Sequence, residues 1–109
     1  MVKLHVVVFF TGLAASALAQ DSKVVIPDSV SIEANISYDR YAETVLDILQ
    51  PKAPSKQKRP GVIVIHGGGW VGGTKEGYGI PMCLRYVEKG FVCANVEYRL
   101  AKAATAPGR

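Results

Sequence analysis

A glycine-rich segment holds the residues of this 109-residue chain that are best suited to chemistry. It reads VIVIHGGGWVGGTKEGYG over residues 62–79 and places six glycines between Gly67 and Gly77. Glycine lets a main chain approach a ligand without a Cβ and adopt positive φ angles. Two kinds of site need such a backbone. One is a cradle for nucleotide phosphates, and the other is a loop that points amide N–H groups at an oxyanion.

The nucleotide alternative depends on a partial motif. Gly67, Gly69 and Gly72 fit the G-x-G-x-x-G fingerprint of dinucleotide-binding proteins. That fingerprint works because a helix begins inside it and directs its N-terminus at the pyrophosphate. Here glycines continue to Gly79, and no helix is expected to begin well before Pro81. No GxxxxGK[ST] motif is present either, so a nucleotide-binding loop is only a minor alternative.

The oxyanion alternative agrees better with so long a loop. Ester hydrolysis passes through a tetrahedral oxyanion, and a backbone N–H aimed at it can contribute about 3 kcal/mol. HGGGW directly after VIVI resembles the oxyanion loop of secreted α/β-hydrolases similar to hormone-sensitive lipase and to feruloyl and acetylxylan esterases. LDILQP is similar to that family's L-D-x-Y-x-P strand, and NVEYRLA to its N-x-x-Y-R-L-A after the fourth strand. The resemblance covers about residues 30–105.

The resemblance implies a role for each residue of HGGGW. Gly68 and Gly69 would supply the oxyanion-hole N–H groups, and Gly67 would make the tight turn out of the strand. His66 is similar to the family's structural histidine, which supports the loop and is not the catalytic base. Trp70 is expected to pack the loop against the body of the protein. The resemblance implies no cofactor.

The resemblance extends to residues after the next strand and also stops short of the catalytic groups. Tyr98 and Arg99 look like a scaffold pair behind the loop, and Glu97 like a structural ion-pair partner. The family's nucleophile lies in G-x-S-x-G, with the acid and base later. No serine up to Arg109 lies in that motif. We therefore expect the N-terminal part of an ester hydrolase, an incomplete α/β domain without a Ser/Asp/His triad and inactive alone.

The order of predicted elements also favours an α/β fold. Residues 30–38 alternate between apolar and polar, which is typical of a half-buried strand in an antiparallel pair near a sheet edge, and ETVLDILQP predicts the second strand of that hairpin, ending at Pro51. The segments GVIVI and FVCANV are continuously apolar, as expected of strands covered on both faces. Between them, Pro81 suits the first turn of a helix and Gly90 its end. Strand, helix and strand predict a right-handed βαβ unit with parallel strands.

The first 19 residues predict a secretory signal peptide. Lys3 precedes an apolar segment over residues 4–13, and residues 17–19 (Ala-Leu-Ala) are small enough for signal peptidase. Cleavage after Ala19 would leave residues 20–109 as the hydrolase part, secreted or periplasmic. The apolar segment is short for a membrane span of about 20 residues, so no stable span is expected.

Cysteines and charge narrow the remaining function classes. Cys83 and Cys93 could pair in an oxidising compartment, but their apolar surroundings favour buried free thiols. The basic segment PKAPSKQKRP is rich in turn residues and has no aromatic residue to stack on bases, so no nucleic-acid partner is expected. No residues have metal-ligand spacing, so no metal is expected. Asn35 begins an N-x-S glycosylation sequon, which matters only in a eukaryotic secretory pathway.

A non-catalytic function stays open beside the enzyme. The predicted fourth strand of the mature chain, FVCANV, would present an unpaired edge, to which a partner could add a strand. The partner of the complete enzyme would instead be an ester of a small molecule, a polysaccharide or a lipid.

Overall fold

The computed structural model describes residues 4–8 and 23–101. Within them, five strands and one helix follow in the order β1 (Leu4–Val8), β2 (Val30–Ser37), β3 (Val45–Pro51), β4 (Gly61–Ile65), α1 (Gly79–Glu88) and β5 (Val92–Val96). The strands form one mixed sheet with the spatial order β1-β4-β5-β3-β2. The predicted α/β class is confirmed, because a crossover helix connects two strands of this mixed sheet.

The predicted N-terminal hairpin is confirmed. β2 runs antiparallel to β3, with Val30 opposite Pro51 and Ser37 opposite Val45. The register shifts between Glu33 and Ile36, and Asn35 within this bulge has a φ of 57°. Asparagine tolerates the left-handed region better than most residues do. The bulge therefore bends the outer strand of the sheet at a residue type that suits it.

The predicted βαβ unit is also confirmed. β4 and β5 are adjacent and parallel, with Gly61 beside Val92 and Ile65 beside Val96, and α1 connects them. The helix begins only at Gly79, after the glycine-rich loop. At its other end Gly90 has a φ of 90° and donates its N–H to the carbonyl of Val87. A glycine in the left-handed conformation is the usual way to end a helix.

The core lies between α1 and one face of the sheet. Side chains on this face are buried, and Cys83 and Val87 of α1 pack against them; the sheet residues are Leu49, Val62, Val64 and Cys93. The residues between them, among which are Ile63, Ile65, Ala94 and Val96, are only half-buried. The expectation that β4 and β5 are covered on both faces therefore holds for one face only, because the single described helix lies on one side.

The first strand comes from the predicted signal peptide. β1 pairs in parallel with the outer edge of β4, with Leu4 beside Gly61 and Val8 beside Ile65. Leu4 and Val6 gain little burial in this strand, since they are 60% and 57% exposed. The predicted cleavage site lies outside the described residues, so removal of the signal peptide stays a prediction.

The expected free edge on the fourth mature strand is wrong. That strand is β5, and it lies inside the sheet between β4 and β3. The crossover through α1 sets β5 beside β4, and its other edge pairs with β3, where Leu49 faces Cys93. Strand addition at β5 is therefore blocked by pairing on both sides.

The expectation of free thiols is also wrong. Cys83 of α1 and Cys93 of β5 form a disulfide, with their Cα atoms 5.4 Å apart. Both residues are fully buried, as their apolar surroundings predicted. The sequence pattern predicted the burial of both cysteines correctly. Their sulfur atoms meet only because α1 packs against β5, the strand that follows it.

Candidate functional site

The glycine-rich loop leaves the carboxyl end of β4 and lies beside the carboxyl end of β5. Open α/β sheets bind ligands at this end of their strands. The loop extends from His66 to Tyr78 and then enters α1. Residues 97–101, which follow β5, pack behind it.

Three consecutive residues of the loop have positive φ angles. They are Gly68 at 137°, Gly69 at 59° and Trp70 at 68°. A Cβ on Gly68 would collide with the backbone of Gly72, whereas a Cβ on Gly69 would meet no atom within 4 Å. Space therefore requires glycine at position 68, and backbone conformation favours it at position 69. A tryptophan in the left-handed region is uncommon and indicates that the surrounding structure imposes this turn.

The turn leaves two neighbouring N–H groups available. The carbonyl of Gly68 accepts hydrogen bonds from the N–H groups of Val71 and Gly72, both at 3.1 Å. Within the described residues, the N–H groups of Gly68 and Gly69 donate to no acceptor. Both glycines are exposed. Two unpaired donors on adjacent exposed residues can bind an anionic oxygen.

His66 is buried beneath this turn. Its Nδ1 lies 2.9 Å from the carbonyl oxygen of Gly67, and its Nε2 lies 2.5 Å from Oε1 of Glu97. The ring also stacks on Tyr98, with the centroids 4.3 Å apart. Both ring nitrogens thus face protein oxygens. The structure places His66 as a support of the loop.

Glu97 connects the start of the loop, at His66, with residues 73–78, called here the far arm, which include Lys75. One carboxylate oxygen, Oε1, contacts His66 and accepts the N–H of Tyr98 at 3.1 Å. The other, Oε2, accepts the N–H of Lys75 at 2.9 Å. The hydroxyl of Tyr98 donates to the carbonyl of His66 at 2.9 Å. Glu97 and Tyr98 therefore hold the strand end and the far arm of the loop together.

Sequence reasoning missed a second buried polar group under the far arm. It consists of Asp47 on β3, Lys75 in the loop and Asn95 on β5, all of them buried. The ammonium of Lys75 lies 3.0 Å from Oδ2 of Asp47. Burial alone would lower the pKa of Lys75, but its contacts with Asp47 and Glu76 outweigh this and raise the pKa above its usual value. The only signal in the sequence was one lysine in a run of glycines, which does not reveal burial.

Asn95 ties this cluster to the start of α1. Its Nδ2 donates to the carbonyl of Lys75 at 2.9 Å and lies 3.4 Å from Oδ2 of Asp47. Its Oδ1 has no hydrogen-bond donor among the described residues and lies against Gly79. A Cβ on Gly79 would collide with this amide, so the first helical residue must be glycine for Asn95 to fit.

Trp70 in the loop and Arg99 after β5 are more exposed than the residues that support the loop. The Trp70 ring lies 5.8 Å from the ring of Tyr98, and its carbonyl accepts the N–H of Ala101 at 2.7 Å. Trp70 is nonetheless 62% exposed, so only one side of its ring packs against the protein. Arg99 lies over the ring of Tyr41 at 3.9 Å, away from the glycine turn. Only Tyr98 of the expected scaffold pair contacts the loop support directly.

A cleft of about 410 Å³ opens beside the far arm of the loop. Its lining includes four charged residues beside Lys75, which are Glu43, Glu76, Glu97 and Arg99, together with apolar ones such as Val45. Gly68 and Gly69 do not line it, so the two free N–H groups and this cleft are separate features. In the part of the chain that the structure describes, no group of three His, Cys, Asp or Glu residues could hold a metal ion. No helix of that part has the length and hydropathy to cross a membrane.

Comparisons with known proteins show the family and the fold. The BD-FAE family model, an α/β-hydrolase esterase-like domain, matches residues 46–109. No curated protein sequence matches the chain. Three crystal structures of esterase B from Lactobacillus rhamnosis are similar to this chain. The structure with a C4-C4 SN3 tributyrin phosphonate has 26% sequence identity and a TM-score of 0.57, and the C6-C4 SN3 inhibited structure has 26% identity and a TM-score of 0.61. The structure of the HN001 enzyme has 27% identity and a TM-score of 0.57. The matches cover 71–72% of this chain and 25–26% of those chains. The chain thus spans about a quarter of the length of these esterases.

Proposed function

Because this chain belongs to the BD-FAE family, we propose that it is the N-terminal part of a secreted serine carboxylic-ester hydrolase and supplies its oxyanion loop. The observation that carries the proposal is the pair of exposed, unbonded N–H groups on Gly68 and Gly69 at the carboxyl end of β4. His66 and Glu97 support them from behind.

The chemistry follows from where negative charge develops. Attack of a nucleophile on an ester carbonyl moves an electron pair onto the carbonyl oxygen, and the N–H groups of Gly68 and Gly69 donate to that oxygen. Donors already fixed in direction need no reorganisation as the charge forms. The open space beside Gly69 gives the acyl group room to approach, since no atom lies within 4 Å of the position that a Cβ would take.

The nucleophile, acid and base would come from outside these 109 residues. None of the serines here lies in G-x-S-x-G, and an activated nucleophile needs an adjacent base. His66 has both ring nitrogens engaged, which argues against its use as that base. The substrate class is an ester, and short acyl chains are the first to test, because a related esterase was crystallised with a tributyrin phosphonate.

A glycine comparison tests the proposal in a complete enzyme that carries this segment. Gly69→Ala adds a Cβ at a φ of 59° in the space assigned to the acyl group, so we expect kcat for p-nitrophenyl butyrate to fall about 10²–10³-fold with a smaller change in KM. Gly77→Ala is the matched control. It lies in the same loop without positive φ, and its Cβ would lie 3.7 Å from the nearest atom, in ordinary contact. We expect kcat for this variant to stay unchanged.

Two results would contradict the proposal. One is a Gly69→Ala enzyme whose kcat stays within about twofold of the unaltered enzyme, which is far from the loss expected for an oxyanion donor. The other is ester turnover by the 109-residue chain alone that a serine-reactive phosphonate abolishes, because a nucleophile would then lie within it. Loss of nucleotide binding in the glycine variants, without ester turnover in any of them, would favour the nucleotide alternative.

A further inference from the structure

Lys75 is the charged residue of the glycine-rich loop whose burial needs an explanation. It is 5% exposed, although the loop around it is largely exposed. Burying an ammonium group is unfavourable unless it is paired and hydrogen-bonded. A lysine with no task at this position would point into water, as lysines usually do. Its inward direction therefore depends on what lies beneath the loop.

Two carboxylates contact the Lys75 ammonium, and they differ in setting. Asp47 lies at 3.0 Å with a side chain only 2% exposed, whereas Glu76 lies at 3.0 Å with a side chain 65% exposed. The other oxygen of Asp47 accepts the backbone N–H of Asn35, from the bulge of β2, at 2.9 Å. Asp47 is thus fixed from two sides, and Glu76 is a surface contact that contributes little.

The backbone of Lys75 is held as firmly as its side chain. Its N–H donates to Glu97 and its carbonyl accepts from Asn95, both at 2.9 Å. Its ammonium pairs with Asp47 on β3. Three separate polar groups of Lys75 therefore bind three residues at or near one end of the β3–β5 pair.

A short path leads from Lys75 to the two free N–H groups. Gly73, two residues before Lys75, has a φ of 88° and packs so closely on His66 and Gly67 that a Cβ there would collide with both. The neighbouring Gly72 donates its N–H to the carbonyl of Gly68. A displacement at Lys75 would therefore move the contacts that define the Gly68 turn.

We propose that Lys75, through its buried ion pair with Asp47, is a positioning residue that fixes the direction of the Gly68 and Gly69 N–H groups. The pair acts through the loop backbone and touches no substrate. The effect of this ion pair on catalysis rests on the proposed oxyanion function, but the ordering of the loop can be measured without any assay of activity.

The chain contains a built-in reporter for this ordering. Trp70 is its single tryptophan and lies directly after Gly69. Acrylamide quenching of Trp70 fluorescence and hydrogen exchange of residues 68–71 both measure how well the loop is ordered. Hydrogen exchange of β4 and β5 measures the stability of the sheet. A merely structural role would change the loop and sheet signals together.

The experiment compares three variants of the full 109-residue chain. Lys75→Met keeps most of the apolar stem and removes the charge; we expect Trp70 quenching to rise and loop exchange to increase about tenfold or more, with β4 and β5 changing less. Glu76→Gln is the matched control, because it removes the exposed partner of the same ammonium, and we expect no change. The double variant Asp47→Asn with Lys75→Met leaves no buried charge of the pair, so it should regain sheet protection while its loop stays loose.

The outcomes separate the two proposals. Loop exchange that rises only in proportion to sheet exchange in both Lys75→Met and the double variant would overturn the positioning role, and so would an equal effect of Glu76→Gln. In a complete enzyme, we expect Lys75→Met to lower kcat more than it changes KM. If the loop loosens in this variant while kcat is unchanged, the positioning role stands and the oxyanion function fails.

Discussion

The side chains that matter most to the loop are polar and out of contact with water. His66, Asp47, Lys75 and Asn95 are buried, and Glu97 is largely so. Apart from Oδ1 of Asn95, the buried side-chain polar atoms of the described residues have a hydrogen-bond partner, which is the condition under which buried polar residues stabilise a single structure. Removing one member would leave its partner unpaired in the interior, which costs more than the contact itself contributes.

Three groups of the chain have surroundings that favour the form that holds the proton: the ammonium of Lys75, the hydroxyl of Tyr98, and the hydroxyl of Tyr38, which donates to the carbonyl of Glu97 at 2.6 Å. Burial, followed by the charge of Glu97, raises the pKa of Tyr98 and of Tyr38 above 10.0. The ion pair with Asp47 helps to raise the pKa of Lys75 above 10.5. In each case the native chain holds its proton more tightly than the unfolded chain. This stabilisation is complete below the unfolded pKa values and is lost as the pH rises through the native ones.

We therefore expect the free energy of unfolding to fall as the pH rises past about 10. Urea unfolding from about pH 8 to about pH 11 measures it. Lys75→Met is the control, since it lacks one of the three groups and should show a shallower decline. A free energy of unfolding that is constant or increases over this interval would show that these contacts do not favour the protonated forms.

At the scale of elements, α1 is joined to the strand that follows it in two places. The disulfide links Cys83 to Cys93, and Gly79 at the helix start packs on Asn95. The glycine-rich loop ends where α1 begins, so the position of α1 decides where the far arm of the loop ends. The covalent link spans only 10 residues of sequence, and short links restrict the unfolded chain less than long ones.

Removing the disulfide should nonetheless destabilise the chain measurably. For a closed loop of this length, chain entropy predicts a loss of about 2.5 kcal/mol in the free energy of unfolding. Chemical unfolding with and without reductant measures the difference. The double variant Cys83→Ala with Cys93→Ala is the control, because reductant should leave its stability unchanged. A native chain equally stable in both conditions would contradict a stabilising disulfide.

At the scale of the molecule, the two edges of the sheet are protected differently. The β2 edge carries a bulge around Asn35, which disrupts regular pairing. The other edge strand is β1, which comes from the segment predicted to be removed on export and covers β4. The β4 segment GVIVI has no charged residue to discourage pairing with another chain. Processing would therefore turn an internal strand into an exposed edge.

We expect the chain that begins at Gln20 to self-associate more strongly than the full chain. Light scattering after size exclusion over a dilution series compares the two. Ile63→Lys in the shorter chain is the control, because a charge on the half-buried face should suppress edge pairing. A shorter chain that stays monomeric wherever the full chain is monomeric would contradict this. Exported protein that begins at Met1 would contradict the processing step itself.

Much of the fold follows from local patterns in the sequence. Alternation over residues 30–38 predicted the outer strand of the hairpin, and continuous apolar runs predicted β4 and β5. Pro81 and Gly90 predicted where α1 lies, and the glycines before Pro81 predicted a loop too long for a dinucleotide site. These features depend on the backbone preferences of a few neighbouring residues, so they can be recognised without knowing the fold.

The contacts that hold the glycine-rich loop in place were decided by the tertiary structure. Residues far apart in sequence meet there: Asp47 with Lys75, His66 with Glu97, and Asn95 with Gly79. Pairing of Cys83 with Cys93 and the internal position of β5 were mispredicted from the sequence for the same reason. The sequence by itself determined the elements and the HGGGW turn, because these depend on local periodicity and on glycine. Partners across the sheet depend on strand order and on the crossover of α1, which no local pattern specifies.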